Sequence, residues 1–131
     1  FGFTSCPIIC PTTMFDISQT LQLLGPQSQQ IQPIFITIDP ETDTVDRLSS
    51  YVTAFGINVA GLTGSKAQIA KAASAFNVKY GRAKSETTDS EDIYHSAYIY
   101  LMDPEGKFID LFGYGTSPRK MAKEIRKVLS G

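Results

Sequence analysis

From Pro11 the chain places Met14, Ile17, Leu21 and Leu24 at helical spacing with Asp16, Gln19 and Gln22 between them, and Gly25-Pro26 closes the pattern. This predicts an amphipathic first helix. A glutamine-rich loop then leads into residues 34–38, Ile-Phe-Ile-Thr-Ile, a β-branched and apolar run of the kind buried on both faces of a parallel sheet. Val45, Leu48, Val52 and Phe55 mark a second helix facing inward, with Asp43 as the expected N-cap and Gly56 as its stop. Residues 57–62 fit a strand. Ser65-Lys66-Ala67-Gln68 opens a third helix with a capping box, followed by Ile69, Ala72, Ala73 and Phe76 on its apolar side.

The polar and acidic stretch 82–92 reads as a mobile loop. Residues 97–102 and 107–112 flank Asp103-Pro104-Glu105-Gly106, where proline in the second turn position and glycine in the fourth predict a β-hairpin. Ser117-Pro118 supplies an N-cap and a first-turn proline for a last helix that turns Met121, Ile125, Val128 and Leu129 inward. In order this is strand, helix, strand, helix, strand, helix, hairpin, helix. It predicts one α/β domain over residues 1–131, with a central mostly parallel sheet, a C-terminal β-hairpin and helices on both faces, closest to the thioredoxin-like arrangement. Phe1-Gly2-Phe3-Thr4 reads as the tail of a strand and not a natural terminus, so upstream strands and a membrane anchor are expected before it.

Composition narrows the function. Twelve basic residues against thirteen acidic ones leave a net charge of -1, which gives no general attraction to nucleic acid or to an anionic membrane surface. Two cysteines and one histidine exclude a disulfide-dense scaffold, a four-thiolate zinc site and a multi-histidine centre. Any thiol or metal chemistry must use Cys6, Cys10 and His95.

Cys6 and Cys10 have three residues between them, one more than the C-x-x-C of thiol–disulfide oxidoreductases. Pro11 would cost about 3 kcal/mol in a helix interior but nothing comparable at the first position, so Cys10 is expected near the N-cap with Cys6 in the preceding turn. Both thiols then face a helix N-terminus, whose partial positive charge favours the thiolate that attacks disulfides or binds soft metals. A structural disulfide closing so small a ring would stabilise by only about 2 kcal/mol. Two buried thiols are disfavoured because the prolines and the loop place them at the exposed end of the sheet. His95 falls where thioredoxin-like redox enzymes carry a cis-proline opposite their cysteines. Two thiolates and one imidazole suit copper(I), with copper(II) tolerated when the histidine takes part, and zinc with an open position is the alternative. Met14 and Met121 fall on core-facing helical positions and Met102 ends a strand, so packing, not copper ligation, is expected of all three. Asp39 and Asp43 lie near the predicted rim, where strand termination and N-capping explain them as well as a direct role does.

The run Phe1-Gly2-Phe3-Thr4-Ser5-Cys6-Pro7-Ile8-Ile9-Cys10-Pro11, then Ile38-Asp39-Pro40-Glu41-Thr42-Asp43-Thr44, then His95-Ser96 leading to Tyr100-Leu101-Met102-Asp103-Pro104-Glu105-Gly106-Lys107-Phe108, resembles the Sco/SenC family along almost the whole chain. Many members carry an aspartate where this chain has Tyr94. The resemblance implies a thioredoxin-like fold and copper ligation by Cys6, Cys10 and His95. It also implies delivery of copper to the binuclear copper centre of cytochrome c oxidase, from an anchored domain in the bacterial periplasm or the mitochondrial intermembrane space. The partners it implies are the copper-receiving oxidase subunit, other copper chaperones and a thioredoxin-like reductant. A second implied activity is reduction of the cysteine pair in the oxidase subunit by the Cys6/Cys10 dithiol; a redox or copper sensor is a more distant reading.

Overall fold

The first helix, α1, spans Ile9–Leu24, so it starts two residues ahead of the predicted Pro11. The first four N–H groups of a helix have no intrahelical acceptor, and proline in the third position therefore forfeits no bond. The computed structural model describes residues 1–5, 9–78, 80–84, 91–95 and 98–130, and for residues 9, 80–84 and 91–95 it describes the backbone alone. A 3₁₀ turn, Gly25–Gln30, follows α1, entered through Gly25 at a positive φ of 61°.

Strand β1 (Ile34–Ile36) is flanked on both sides. Strand β2 (Ala60–Leu62) runs parallel to it with Phe35 opposite Gly61. On the other edge the Gly2 N–H donates to the Ile36 carbonyl at 3.0 Å and the Ile38 N–H donates to the Gly2 carbonyl at 2.8 Å, while the Thr37 N–H turns the opposite way to the Leu62 carbonyl at 3.1 Å. The start of the chain, β1 and β2 thus lie side by side and parallel. Only one face of β1 is closed as the apolar run predicts: Phe35 is buried, but Ile34 on the other face is 56% exposed.

Helix α2 (Val45–Thr53) is capped by Thr44, whose hydroxyl accepts from the Arg47 N–H at 3.2 Å. The predicted cap, Asp43, is instead fully buried and used elsewhere. The inward stripe of α2 reduces to Leu48 and Val52, with Val45 in the first turn 70% exposed. Helix α3 (Lys66–Ala75) has the predicted capping box: Ser65 Oγ accepts from the Gln68 N–H at 3.1 Å and Gln68 Oε1 accepts from the Ser65 N–H at 2.8 Å.

Both ends of the stretch 82–92 expected as a loop are strands instead, and residues 85–90 lie outside the described residues. Strands β3 (Tyr80–Lys84) and β4 (Glu91–His95) pair antiparallel with Tyr80 opposite His95, so His95 ends a strand. The C-terminal hairpin, β5 (Tyr98–Met102) and β6 (Phe108–Gly113), matches the prediction within a residue. Asp103 Oδ1 holds its turn by accepting from the N–H groups of Glu105 and Lys107, at 2.9 and 2.8 Å, and Gly106 takes the positive φ of 85°. The last helix, α4 (Pro118–Ser130), is capped by Ser117 and buries Met121, Ala122 and Ile125, while Val128 lies at the exposed margin of the stripe.

Two apolar clusters meet along α1. Phe3, Cys10, Met14, Phe35, Ile38, Leu48 and Val52 form one, and Leu24 with Ala122 and Ile125 of α4 forms the other. Met14 and Met121 are packing residues, as their helical positions predict. Arg126 of α4 donates to the carbonyl of Leu23 in the last turn of α1, supplying a partner that a helix C-terminus lacks. Among the described residues, no helix is long and apolar enough to cross a membrane.

Candidate dithiol and metal site

Cys10 occupies the second position of α1 and is buried among Phe3, Met14 and Phe35. The exposed position predicted for it is therefore corrected, and the physical reason is Gly2. A Cβ at residue 2 would stand 2.8 Å from Cys10 Sγ and 3.0 Å from the Phe35 ring, so only a bare backbone lets the start of the chain close over the thiol.

The residues leading to Cys6 are held from the other side. Asp43 Oδ2 accepts from the Thr4 N–H at 3.0 Å and from the Thr37 hydroxyl at 2.7 Å, and Asp43 Oδ1 accepts from the Thr4 hydroxyl at 2.5 Å. Arg47, one helical turn on, has Nε 3.6 Å from Asp43 Oδ1 and donates to Thr4 Oγ1 at 2.6 Å and to Ser5 Oγ at 3.0 Å. Asp43 was a candidate on position alone, whereas nothing local marks Arg47, whose hydroxyl partners lie 43 and 42 residues away. The one trace in the sequence is the Asp–Arg spacing of four, which puts acid and base on one side of a chain entering a helix. Asp39 is buried too: its N–H donates to Thr37 Oγ1 at 2.9 Å, and its carbonyl accepts from the N–H groups of Thr42 and Asp43. Those bonds give it the turn-forming role.

Of the three candidate ligands, then, Cys10 is placed in the first turn of α1 and the backbone of His95 at the end of β4, while Cys6 and the imidazole of His95 lie outside the described residues. Among the described residues, no three His, Cys, Asp or Glu side chains converge on a metal-sized point. The donor set in the sequence, two sulfurs and one imidazole, is soft and of low coordination number, which fits copper better than a hard cation.

Parallel strands, flanking helices and a terminal hairpin, with Cys10 in the first turn of the first helix, define a thioredoxin-like domain. The chain belongs to the SCO1/SenC family, whose model matches residues 1–130. It is 36% identical over 129 residues to the human protein SCO2 homolog, mitochondrial, covering 97% of this chain and 48% of that protein. It is 38% identical over 127 residues to a SCO2-like protein of Rickettsia conorii, covering 96% and 62%. The chain thus spans about half to three fifths of these relatives' length. Among solved structures, Arabidopsis thaliana ScoI with copper bound is similar at a TM-score of 0.90 and 33% identity, over 99% of this chain and 81% of that one. Yeast Sco1 with copper bound is similar at 0.86 and 30%, over 100% and 74%. The predicted thioredoxin-like class and family are both borne out.

Proposed function

We propose that this protein is a copper metallochaperone that delivers copper to the binuclear copper centre of cytochrome c oxidase during its assembly. The observation that carries the reading is the likeness, over nearly the whole chain, to relatives solved with copper bound. Cys6 and Cys10 serve as thiolate ligands and His95 as the third. The thiolates supply most of the affinity for copper(I), and the imidazole extends the site to copper(II). Transfer is ligand exchange: an incoming donor from the oxidase subunit takes the position His95 vacates before the thiolates let go. Other copper chaperones load the site and a thioredoxin-like reductant keeps the dithiol reduced, because joined sulfurs no longer offer thiolates. The setting is the bacterial periplasm, by way of a membrane anchor outside this chain, or the mitochondrial intermembrane space; the mitochondrial and rickettsial relatives are compatible with either.

The test is anaerobic copper(I) titration of the reduced protein against a chromophoric chelator. One copper per chain is expected, with none bound after Cys6 and Cys10 are oxidised, near-complete loss in Cys6→Ala and Cys10→Ala, and weaker binding with an altered copper(II) spectrum in His95→Ala. Tight binding by the oxidised protein would overturn the reading. Turnover of an unstructured disulfide substrate at the rate of an ordinary thioredoxin, without stoichiometric copper binding, would replace it with a thiol–disulfide reductase.

A further inference from the structure

Arg47 reaches past its own helix to grip the two residues that precede Cys6. Its Nε–H donates to Thr4 Oγ1 and its Nη2 donates to Ser5 Oγ. The direction of the remaining bonds follows from there. Having accepted from Arg47, the Thr4 hydroxyl gives its own proton to Asp43 Oδ1; having accepted from the Asp39 N–H, the Thr37 hydroxyl gives its proton to Asp43 Oδ2. Both carboxylate oxygens thus accept from donors on two segments of chain, the start of the chain and the end of β1, with Asp43 and Thr37 fully buried. The Arg47 side chain is 49% exposed, and a half-exposed ion pair adds little to stability. Its consequence lies in geometry: a planar guanidinium presents two donors in a fixed fork, and here the fork spans two successive hydroxyls.

At the far end of the same short segment Cys10 is fixed in the core by Phe3, Met14 and Phe35. The chain between Ser5 and Cys10 is therefore held at both ends. We propose that Arg47, seated on Asp43, is a positioning residue for the dithiol: by holding Thr4 and Ser5 it raises the effective concentration of the Cys6 thiol at Cys10. The proposal rests on the reading of Cys6 and Cys10 as the metal-binding pair. Any event that needs both sulfurs at once, whether chelation of copper or closure of the disulfide, is favoured by the same restraint.

The experiment equilibrates the oxidised protein with dithiothreitol buffers and counts thiols by alkylation and mass. Two electrons and two protons pass from dithiothreitol to the Cys6–Cys10 disulfide; its S–S bond opens to two thiols while dithiothreitol closes to its cyclic disulfide. In Arg47→Met the protein disulfide is expected to lose about tenfold in stability relative to the dithiol, a rise in potential of about 30 mV, with copper(I) affinity falling by a similar factor. Arg47→Lys keeps the charge but has one nitrogen for two hydroxyls, and is expected to behave as Arg47→Met does. Ser5→Ala, at an exposed position, is expected to shift both readouts in the same direction by less, and provides the readout if an Arg47 variant folds poorly. Wild-type values in Arg47→Lys beside a shift in Arg47→Met would assign the effect to charge and overturn the positioning role. So would wild-type potentials in both Arg47 variants and in Ser5→Ala. These failures are separate from that of the copper reading, which falls when Cys6→Ala and Cys10→Ala bind copper(I) as tightly as wild type, whatever the potentials show.

Discussion

Asp43 accepts a hydrogen bond from the backbone N–H of Thr4 at 3.0 Å, across 39 residues of sequence. The bond joins the strand-like start of the chain to the turn before α2, and the Thr37 hydroxyl meets the same carboxylate from β1's end. One buried acid thus fastens the two parallel segments that flank the entry to the Cys6–Cys10 run. Removing it leaves buried donors with nothing to bond, which is costlier than the net value of the bonds themselves.

Asp43→Ala is therefore expected to destabilise the protein by about 3 kcal/mol, seen as a lower urea midpoint at unchanged m-value. Asp43→Asn retains one carbonyl oxygen for the Thr4 N–H and the Thr37 hydroxyl, and its amide can donate to Thr4 Oγ1, so about half that loss is expected. A midpoint for Asp43→Ala within about 0.5 kcal/mol of wild type would show that the carboxylate fastens nothing.

What the sequence discloses here tracks the range of the interaction. The Ser65–Gln68 box, the turn held by Asp103 and the Ser117 cap all close within four residues, and each was readable as a string. Asp43 has the right residue type and spacing for an N-cap, yet Thr44 next to it takes that role, because Thr4 and Thr37 offer the carboxylate more donors than the helix end does. The pairing of β3 with β4 was hidden for a different reason: Arg82, Lys84, Glu91 and Asp92 swamp the alternation of apolar positions by which a half-buried strand is recognised. At the site, the identity of Cys10 was legible but its burial was not, since that depends on a glycine eight positions earlier folding back over it.

That glycine yields the next prediction. Gly2→Ala places a methyl against Cys10 Sγ and the Phe35 ring, at separations that well-packed interiors do not tolerate, and a loss of about 1–3 kcal/mol is expected. The strain should be shared with the thiol. In a double-mutant cycle, Gly2→Ala is expected to cost less in a Cys10→Ala background than in wild type, with a coupling of about 1 kcal/mol in urea unfolding. Strict additivity would mean that the start of the chain relaxes away from Cys10 without penalty, and Gly2 would then carry no role in seating it.

The strand position of His95 alters what copper should do to the backbone around it. Among the described residues, β3 and β4 pair with each other and with no third strand, and an isolated two-stranded ladder is marginal in water. Amides of residues 91–95 should therefore exchange through local opening, faster than those of β1 yet slower than an unpaired segment. If His95 is the third ligand, opening β4 removes the imidazole from copper while the thiolates retain the metal. The added protection of residues 91–95 in the copper-loaded protein then equals the share of affinity that His95 supplies. The factor by which exchange there slows should match the factor by which His95→Ala weakens copper binding, a linkage that hydrogen exchange and chelator competition measure independently. In β1 the slowing comes instead through global unfolding, and it should persist in His95→Ala because Cys6 and Cys10 still hold the metal. Exchange at residues 91–95 that is unchanged by copper, alongside slowed exchange in β1, would leave the dithiol as the site and take His95 out of it.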